Sequence, residues 1–227
     1  MLYLYSAVFI LPMKFDIITI FPDIFDSYFS ESLLVKANEK GLIDLKVHNL
    51  RDWSGSPHKT VDGAPYGGGG GMVLKVEPIY RAVEEIREEG KRSKVILFSP
   101  RGKKFNQKKA GEYASLDQLI MICGRYEGID ERVKSLVADE VVSLGNFVLM
   151  GGEIPAMAVV ESVSRLLKGV LGNENFLEER IREGGIVEYP QYTRPEEFKG
   201  KKVPSVLLSG NHGKIEKWRE KKKKIIG

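Results

Sequence analysis

The chain has 227 residues, of which 42% are hydrophobic and 29% are charged, as is typical of a globular protein with one sizeable core and room for a small second domain. Its single cysteine, Cys123, excludes an internal disulfide and favours a reducing compartment, which predicts a cytoplasmic protein. One cysteine and three widely spaced histidines do not show the ligand spacing of a zinc site, so we predict no metal centre.

The charge is distributed unevenly along the chain, whose net charge is +4. Residues 199–227 contain ten Lys or Arg against two Glu, so this segment carries +8 and the preceding residues carry −4. A basic segment beside a nearly neutral body favours a polyanionic partner, most simply nucleic acid. A lysine run is also typical of a solvated chain end, and the charge pattern leaves both interpretations open.

The first twelve residues, MLYLYSAVFILP, are almost entirely apolar. This run is too short to span a bilayer, which requires about 20 apolar residues. It also lacks the basic residues and the small-residue cleavage site of a signal peptide. We therefore expect an N-terminal extension without a targeting role, and no membrane segment.

Hydrophobic periodicity predicts strands and helices in alternation along the rest of the chain. The predicted strands cover residues 14–21, 42–50, 94–98, 118–123 and 140–144. The predicted helices cover residues 22–40, 78–89, 106–114, 129–138 and 155–168. This alternation predicts an α/β fold with a mainly parallel sheet and helices on both of its faces.

The predicted elements divide the chain into four parts. Residues 1–12 are the extension, residues 13–170 are the α/β domain, residues 171–190 are a polar linker or lid, and residues 191–227 are a small, basic, mostly helical domain. A long loop over residues 51–72 ends in PYGGGGGM. Five consecutive glycines cost backbone entropy, and they could cradle a phosphate through backbone N–H groups or act as a flexible hinge.

Three loops rich in Gly or Pro follow predicted buried strands, at residues 99–102, 124–128 and 145–152. Ligands of parallel α/β sheets bind at the carboxyl ends of the strands, so these loops predict one shared pocket. None of them has the glycine pattern of a P-loop or of a Rossmann fingerprint. Glu127 lies in a Gly-flanked turn where its side chain can point at a ligand, whereas Arg165 lies beside apolar helix residues and could simply snorkel.

The chain resembles bacterial tRNA (guanine-N1)-methyltransferases, the TrmD family of the SPOUT superfamily, in motifs that keep their order from Met13 onward. These motifs are ITIFPDIF (18–25), HKTVDGAPYGGGGGM (58–72), LFSPRGKKF (97–105), CGRYEGIDERV (123–133), SLGNFVLMGGEIPAM (143–157), SVSRLLKGVLG (162–172), YPQYTRPE (189–196) and VPSVLLSGNHGKIEKWR (203–219). Because they cover nearly the whole chain, the resemblance is far more specific than any single Gly-rich loop.

The resemblance implies a fold and an activity that periodicity does not reveal. The C-terminal part of the α/β domain would thread a trefoil knot, a rare exception to ordinary chain topology. S-adenosylmethionine would donate a methyl group to N1 of the guanosine at tRNA position 37, next to the anticodon on its 3′ side. Family members act as homodimers with active sites at the subunit interface, and the resemblance also allows a role for magnesium.

The family's cofactor loops map onto the three strand-end loops of this chain. The implied cofactor-binding residues are Leu97, Phe98, Ser99, Pro100, Gly124, Tyr126, Glu127, Leu144, Gly145, Asn146, Phe147, Val148, Leu149, Gly151, Gly152 and Pro155. Tyr126 and Glu127 also fall where the family contacts the target guanine.

The resemblance also implies catalytic residues. Guanine N1 carries a proton, so a base must remove that proton and a donor must stabilise the charge that grows on O6. Arg165 falls where the family places an arginine near the guanine, and it is the implied donor. The family's base is an aspartate in the lid, where this chain has Arg180, so we take the adjacent Glu179 as the base, with Glu178 as the alternative.

Two departures from the family keep other functions open. The displaced lid carboxylate is consistent with a protein that binds S-adenosylmethionine and RNA without turnover, and a related SPOUT methyltransferase with a different target is a further alternative. Family members usually continue with more helices beyond the Trp218–Arg219 pair. We therefore expect a reduced tRNA-binding domain in which the lysines of residues 221–224 contact phosphates.

Overall fold

The computed structural model describes residues 11–172, 181–182 and 185–226, and the chain divides into two compact units between Gly172 and Asn173. Most of the predicted N-terminal extension lies outside the described residues. Within the described part of the chain, no helix is long and apolar enough to cross a membrane.

The first unit is built around a five-stranded parallel sheet. The strands of this unit are β1 (Met13–Thr19), β2 (Ile43–Asn49), β3 (Asp62–Gly63), β4 (Val73–Leu74), β5 (Ser93–Lys104), β6 (Gln118–Ile122) and β7 (Glu140–Ser143). The order in the large sheet is β2-β1-β6-β5-β7, with every neighbouring pair parallel, while β3 and β4 form a separate antiparallel pair.

Helices cover both faces of the large sheet. They are α1 (Asp26–Phe29), α2 (Ser32–Glu39), α3 (Val76–Ile86), α4 (Gln107–Ala114), α5 (Arg132–Leu136) and α6 (Glu153–Ser164), with 3₁₀ turns at Pro22–Phe25 and Leu50–Trp53. Because alternate strand residues point to opposite faces, Phe15 and Ile17 pack in one core with α2, α4 and α6, and Ile18 packs in a second core with α3 and α5. These observations confirm the predicted α/β fold, while the trefoil knot stays a prediction.

The prediction of one continuous helix over residues 22–40 is wrong. The segment forms a 3₁₀ turn and two short helices, and the backbone becomes extended at Glu31, with φ −120° and ψ 160°. Ser30 ends the first short helix, and its hydroxyl donates to the carbonyl oxygen of Ser27, a local bond of the kind that competes with helix continuation. After the break, α2 buries Leu34 and Ala37 and exposes Leu33.

Two further predictions differ in detail. Helix α5 begins later than predicted because the side chain of Asp130 accepts a hydrogen bond from the backbone N–H of Arg132. Strand β5 continues beyond the predicted end at Phe98, but its pairing with β7 shifts register between Phe98 and Lys103. The predicted break at residues 99–102 is therefore a bulge within a longer strand.

The second unit contains more strand than predicted. Its strands are β8 (Ile181–Arg182), β9 (Gly185–Glu188), β10 (Glu197–Phe198), β11 (Lys201–Lys202) and β12 (Lys224–Ile226), and its helices are α7 (Ser205–Leu208) and α8 (His212–Lys222). Strand β9, which lies in the predicted linker, pairs antiparallel with β8 and with β12. The ring of Trp218 contacts that of Tyr192, and the guanidinium of Arg219 lies over Tyr189, so α8 packs on the start of its own unit.

Candidate active site

A cavity of about 340 Å³ lies at the carboxyl ends of β5, β6 and β7, within the size range of small-molecule pockets. Fifteen of the sixteen predicted cofactor residues line it, and Asn146 does not. The residues that line it without having been predicted are Arg101, Gly128, Ile129, Glu131, Val142, Ser143, Met150 and Arg125. Four of them, Arg101, Arg125, Gly128 and Met150, lie inside the three predicted loops, and the other four lie just outside the loop boundaries.

The bulge of β5 forms one wall of the cavity. Phe98 and Lys103 both pair with Val142 of β7, and the residues between them leave the ladder. A Cβ atom on Gly102 would lie 2.6 Å from backbone atoms of Val142. Because no side chain fits at that distance, the glycine allows the bulge to form directly against β7.

The loop after β6 forms a second wall, and the end of the five-glycine run holds it in place. The backbone N–H of Glu127 donates to the carbonyl oxygen of Met72 at 3.1 Å, and that of Leu74 donates to Gly128 at 3.0 Å. Gly71, with φ +85°, lies so close that a Cβ atom would be 2.5 Å from Cγ of Glu127. The run is therefore anchored to the cavity at one end, and the phosphate cradle and the hinge both stay predictions.

A cluster of buried polar side chains lies beneath the cavity, and we call Thr19, Cys123, Arg125 and Glu153 the cavity cluster. Glu153 is 1% exposed. Its Oε1 accepts a hydrogen bond from the hydroxyl of Thr19 at 2.8 Å, and its Oε2 lies 2.9 Å from Nε of Arg125. One carboxylate thus connects the end of β1, the loop after β6 and the start of α6.

Arg125 and Glu153 are held by packing as well as by charge. Their Nε and Oε2 atoms are buried and close, but they are not aligned for a hydrogen bond. The guanidinium of Arg125 also lies 4.9 Å from the ring centroid of Phe21, a cation–π contact. A Cβ atom on Gly151 would lie 2.4 Å from both Arg125 Nε and Glu153 Oε2. This position therefore requires glycine.

Cys123 completes the cavity cluster but is not suited to nucleophilic chemistry. Burial raises the pKa of its thiol well above the ordinary value, the negative charge of Glu153 raises it further, and Arg125 partly opposes both effects. Since the thiolate is the reactive form, a buried thiol with a raised pKa is inert near neutral pH. Cys123 is a packing residue at the end of β6.

Only one of the two predicted catalytic residues, Arg165, lies within the described residues. Arg165 lies half-buried at the C-terminal end of α6 and does not line the cavity. Glu179 and its alternative Glu178 lie outside the described residues. Among the residues that are described, no group of three His, Cys, Asp or Glu is placed to hold a metal ion.

Comparisons with known proteins agree with one another. A family model described as tRNA (Guanine-1)-methyltransferase TrmD matches residues 13–225. A tRNA (guanine-N(1)-)-methyltransferase of Geobacter sp. (strain M21) is 54% identical over 92% of this chain and 84% of its own length, and one of Geobacillus kaustophilus is 50% identical over 92% and 86%. The crystal structure of tRNA (m1G37) methyltransferase from Aquifex aeolicus is 44% identical and covers 92% of this chain and 88% of its own, with a TM-score of 0.76.

Proposed function

This chain belongs to the TrmD family of tRNA (guanine-1)-methyltransferases, and from that premise we propose that it transfers a methyl group from S-adenosylmethionine to N1 of guanosine 37 in tRNA. The observation that carries the proposal is the cavity, because three loops far apart in sequence meet there at the strand ends. The similar Aquifex aeolicus protein, an m1G37 methyltransferase by name, supports the position of the target nucleotide.

The walls of the cavity fit the parts of S-adenosylmethionine. Leu97, Leu144 and Leu149 offer an apolar surface for an adenine ring, and the hydroxyl of Ser99 can bind polar groups such as those of ribose. When bound, the cofactor supplies a methyl group on a sulfonium, so the protein's task is to bind and orient it.

The chain's own residues must then prepare the guanine. We propose that Arg165 donates hydrogen bonds to guanine O6 and that Glu179 accepts the N1 proton, since both positions match catalytic or neighbouring positions of the family motif. The target base must leave its stack to reach such a pocket. Helix α6 begins at Glu153 in the cavity cluster and ends beside Arg165, which does not line the cavity of its own chain.

The proposed partners are tRNA and a second copy of the chain. Helix α8 and Lys224 carry exposed positive charge in the second unit, which suits contacts to phosphates, whereas Lys223 is paired with Glu220. Apolar side chains are exposed on the cavity rim, where Val148 is 83% and Met150 is 88% accessible to solvent. Exposed apolar patches mark interaction sites, and this one favours a homodimer with the active site at its interface. A tRNA substrate also places the protein in the cytoplasm.

The test is a methyl-transfer assay with labelled S-adenosylmethionine and unmodified tRNA transcripts that carry guanosine or adenosine at position 37. We expect label only in the guanosine transcript, at base N1. Label at another nucleotide or on ribose would indicate a related methyltransferase with a different target. Binding of both ligands without any product would replace the proposal with the non-catalytic binding protein. Repeating the assay with a chelator tests the role for magnesium that the family resemblance allows.

A further inference from the structure

Four exposed cations lie together where β5 leaves the cavity and α4 begins, and we call Arg101, Lys103, Lys104 and Lys108 the β5–α4 basic strip. All four residues are exposed. Among the described residues, no carboxylate lies within 4.0 Å of the three lysines, whereas Arg101 lies 3.8 Å from Glu131. The adjacent Lys109 differs, because it is paired with Glu140 and both side chains are only 15% exposed.

The strip concentrates four cations between residues 101 and 108, whereas many other cations of the first unit form ion pairs. Ion pairs within this unit involve Lys14, Lys46, Arg87, Arg92, Arg132 and Lys134. From residue 99 to residue 114 the sequence has five Lys or Arg and a single acidic residue, Glu112, whereas residues 1–172 as a whole contain 22 Lys or Arg and 22 Asp or Glu. A local excess of positive charge in a unit with no net charge attracts anions.

The fold places this charge at the mouth of the cavity. Arg101 lines the cavity, and its side chain is 86% exposed. After the bulge, Lys104 pairs in register with Ser143, which also lines the cavity. Asn106 then begins α4 by accepting a hydrogen bond from the backbone N–H of Lys109, which places Lys108 in the first turn of that helix. The strip therefore runs along the chain from the cavity rim at Arg101 to the first turn of α4.

We propose that the β5–α4 basic strip binds phosphates of the tRNA strand that flanks the target nucleotide. This inference rests on the proposed function, since it takes tRNA as the substrate. A row of exposed cations suits a polyanion with repeating charges better than it suits the single carboxylate of the cofactor. Unstacking a base costs a few kcal/mol, and phosphate contacts beside the extruded base offset that cost. Residues of the first unit thus hold the substrate in addition to the basic second unit.

The experiment compares two triple variants of the full chain. The test variant is Lys103→Ala, Lys104→Ala and Lys108→Ala, which leaves the cavity residue Arg101 intact. The control variant is Lys36→Ala, Lys40→Ala and Lys46→Ala, which removes the same number of positive charges from α2, from the residue that follows it and from β2 at the other edge of the sheet, where Lys46 is paired with Asp44. For both variants and the parent, tRNA affinity is measured by fluorescence anisotropy over a series of salt concentrations, and S-adenosylmethionine affinity by calorimetry.

We expect the test variant to bind tRNA at least tenfold more weakly at about 0.15 M salt. The slope of the logarithm of the binding constant against the logarithm of salt concentration should be shallower by about two to three, because each lost phosphate contact removes roughly 0.7 to 0.9 from that slope. The control variant should keep the parent slope, and all three proteins should bind S-adenosylmethionine equally. A parent-like slope in the test variant, equal losses in both variants, or weakened cofactor binding in the test variant would overturn the proposal. A parent that binds tRNA but forms no product overturns the proposed function instead, and the slopes still decide the role of the strip.

Discussion

Two buried polar clusters share strand β1 and differ in how completely their atoms are hydrogen-bonded. In the first, which we call the sheet cluster, Asp16 Oδ1 is hydrogen-bonded to His48 at 2.7 Å, and Oδ2 accepts from Gln118 at 2.8 Å. In the cavity cluster, Arg125 Nε and Glu153 Oε2 lie close together but are not aligned. Both carboxylate oxygens of Asp16 in the sheet cluster are therefore hydrogen-bonded, whereas two polar atoms of the cavity cluster have no aligned hydrogen-bond partner.

The difference indicates different tasks. A fully hydrogen-bonded buried cluster fixes one packing arrangement and stabilises the fold. A crowded, poorly aligned pair is held by its surroundings, here the ring of Phe21 and the backbone of Gly151. We therefore expect changes in the sheet cluster to reduce stability alone, and changes in the cavity cluster to alter the geometry of the site as well.

The largest effect is expected for Glu153→Ala. This change leaves Arg125 with a largely buried charge and no partner, and breaking such a pair costs about 3–5 kcal/mol. Urea denaturation measures the free energy of unfolding. The control is Glu161→Ala on the same helix, where an exposed carboxylate accepts a hydrogen bond from Tyr28, and its cost should stay below about 1 kcal/mol. Similar losses in the two variants would contradict a special role for the buried carboxylate.

Gly151→Ala should reduce activity without unfolding the protein. The added methyl would lie 2.4 Å from Arg125 Nε and Glu153 Oε2, so both side chains must move and the cavity wall with them. A misplacement of about 1 Å in an active site costs about a hundredfold in kcat/KM, which the methyl-transfer assay measures. Gly111→Ala in α4 is the matched control, since nothing lies within 4 Å of its added methyl. Parent-like turnover of the Gly151 variant would show that the loop tolerates the movement.

Gln118→Ala tests the sheet cluster. Its amide nitrogen donates to Asp16 and to the carbonyl oxygen of Ile86, and its amide oxygen accepts from Ser93. Leaving these buried groups unsatisfied should cost about 1–3 kcal/mol in the free energy of unfolding. Gln118 begins β6 at the end remote from the cavity, so kcat and KM should match the parent. Lost activity in a folded variant would mean that the two clusters are coupled through the sheet.

The sheet and the pocket position could be predicted from sequence because both rest on local patterns. Apolar runs such as residues 118–123 identify buried strands, and the strand-end rule then places the loops together. The exceptions also have local causes that periodicity does not report. Ser30 interrupts a helix whose apolar spacing looked continuous, and Asp130 delays the start of α5.

The cavity cluster could not be predicted for a different reason. Thr19 and Glu153 are 134 positions apart, and nothing in either segment indicates that a charged residue at a helix start is buried beneath a cavity. Glu153 reads as an ordinary acidic residue in the first turn of α6, where it suits the helix dipole. Only the packing of three loops shows that its partners are Thr19 and Arg125. Long-range polar contacts of this kind depend on tertiary structure, which local periodicity does not specify.

The smallest expected effect concerns the reactivity of Cys123. It distinguishes local opening of the loops around the cavity from unfolding of the whole unit. The thiol is 1% exposed, and burial raises its pKa, so iodoacetamide at about pH 8 should label the folded parent only as fast as the structure opens. Glu153→Ala and Gln118→Ala are compared at urea concentrations where their free energies of unfolding are equal. If Glu153 ties the loops together locally, its variant should still label faster. Equal rates would mean that Cys123 becomes accessible only through global unfolding, and that Glu153 stabilises the whole unit instead of the loops around the cavity.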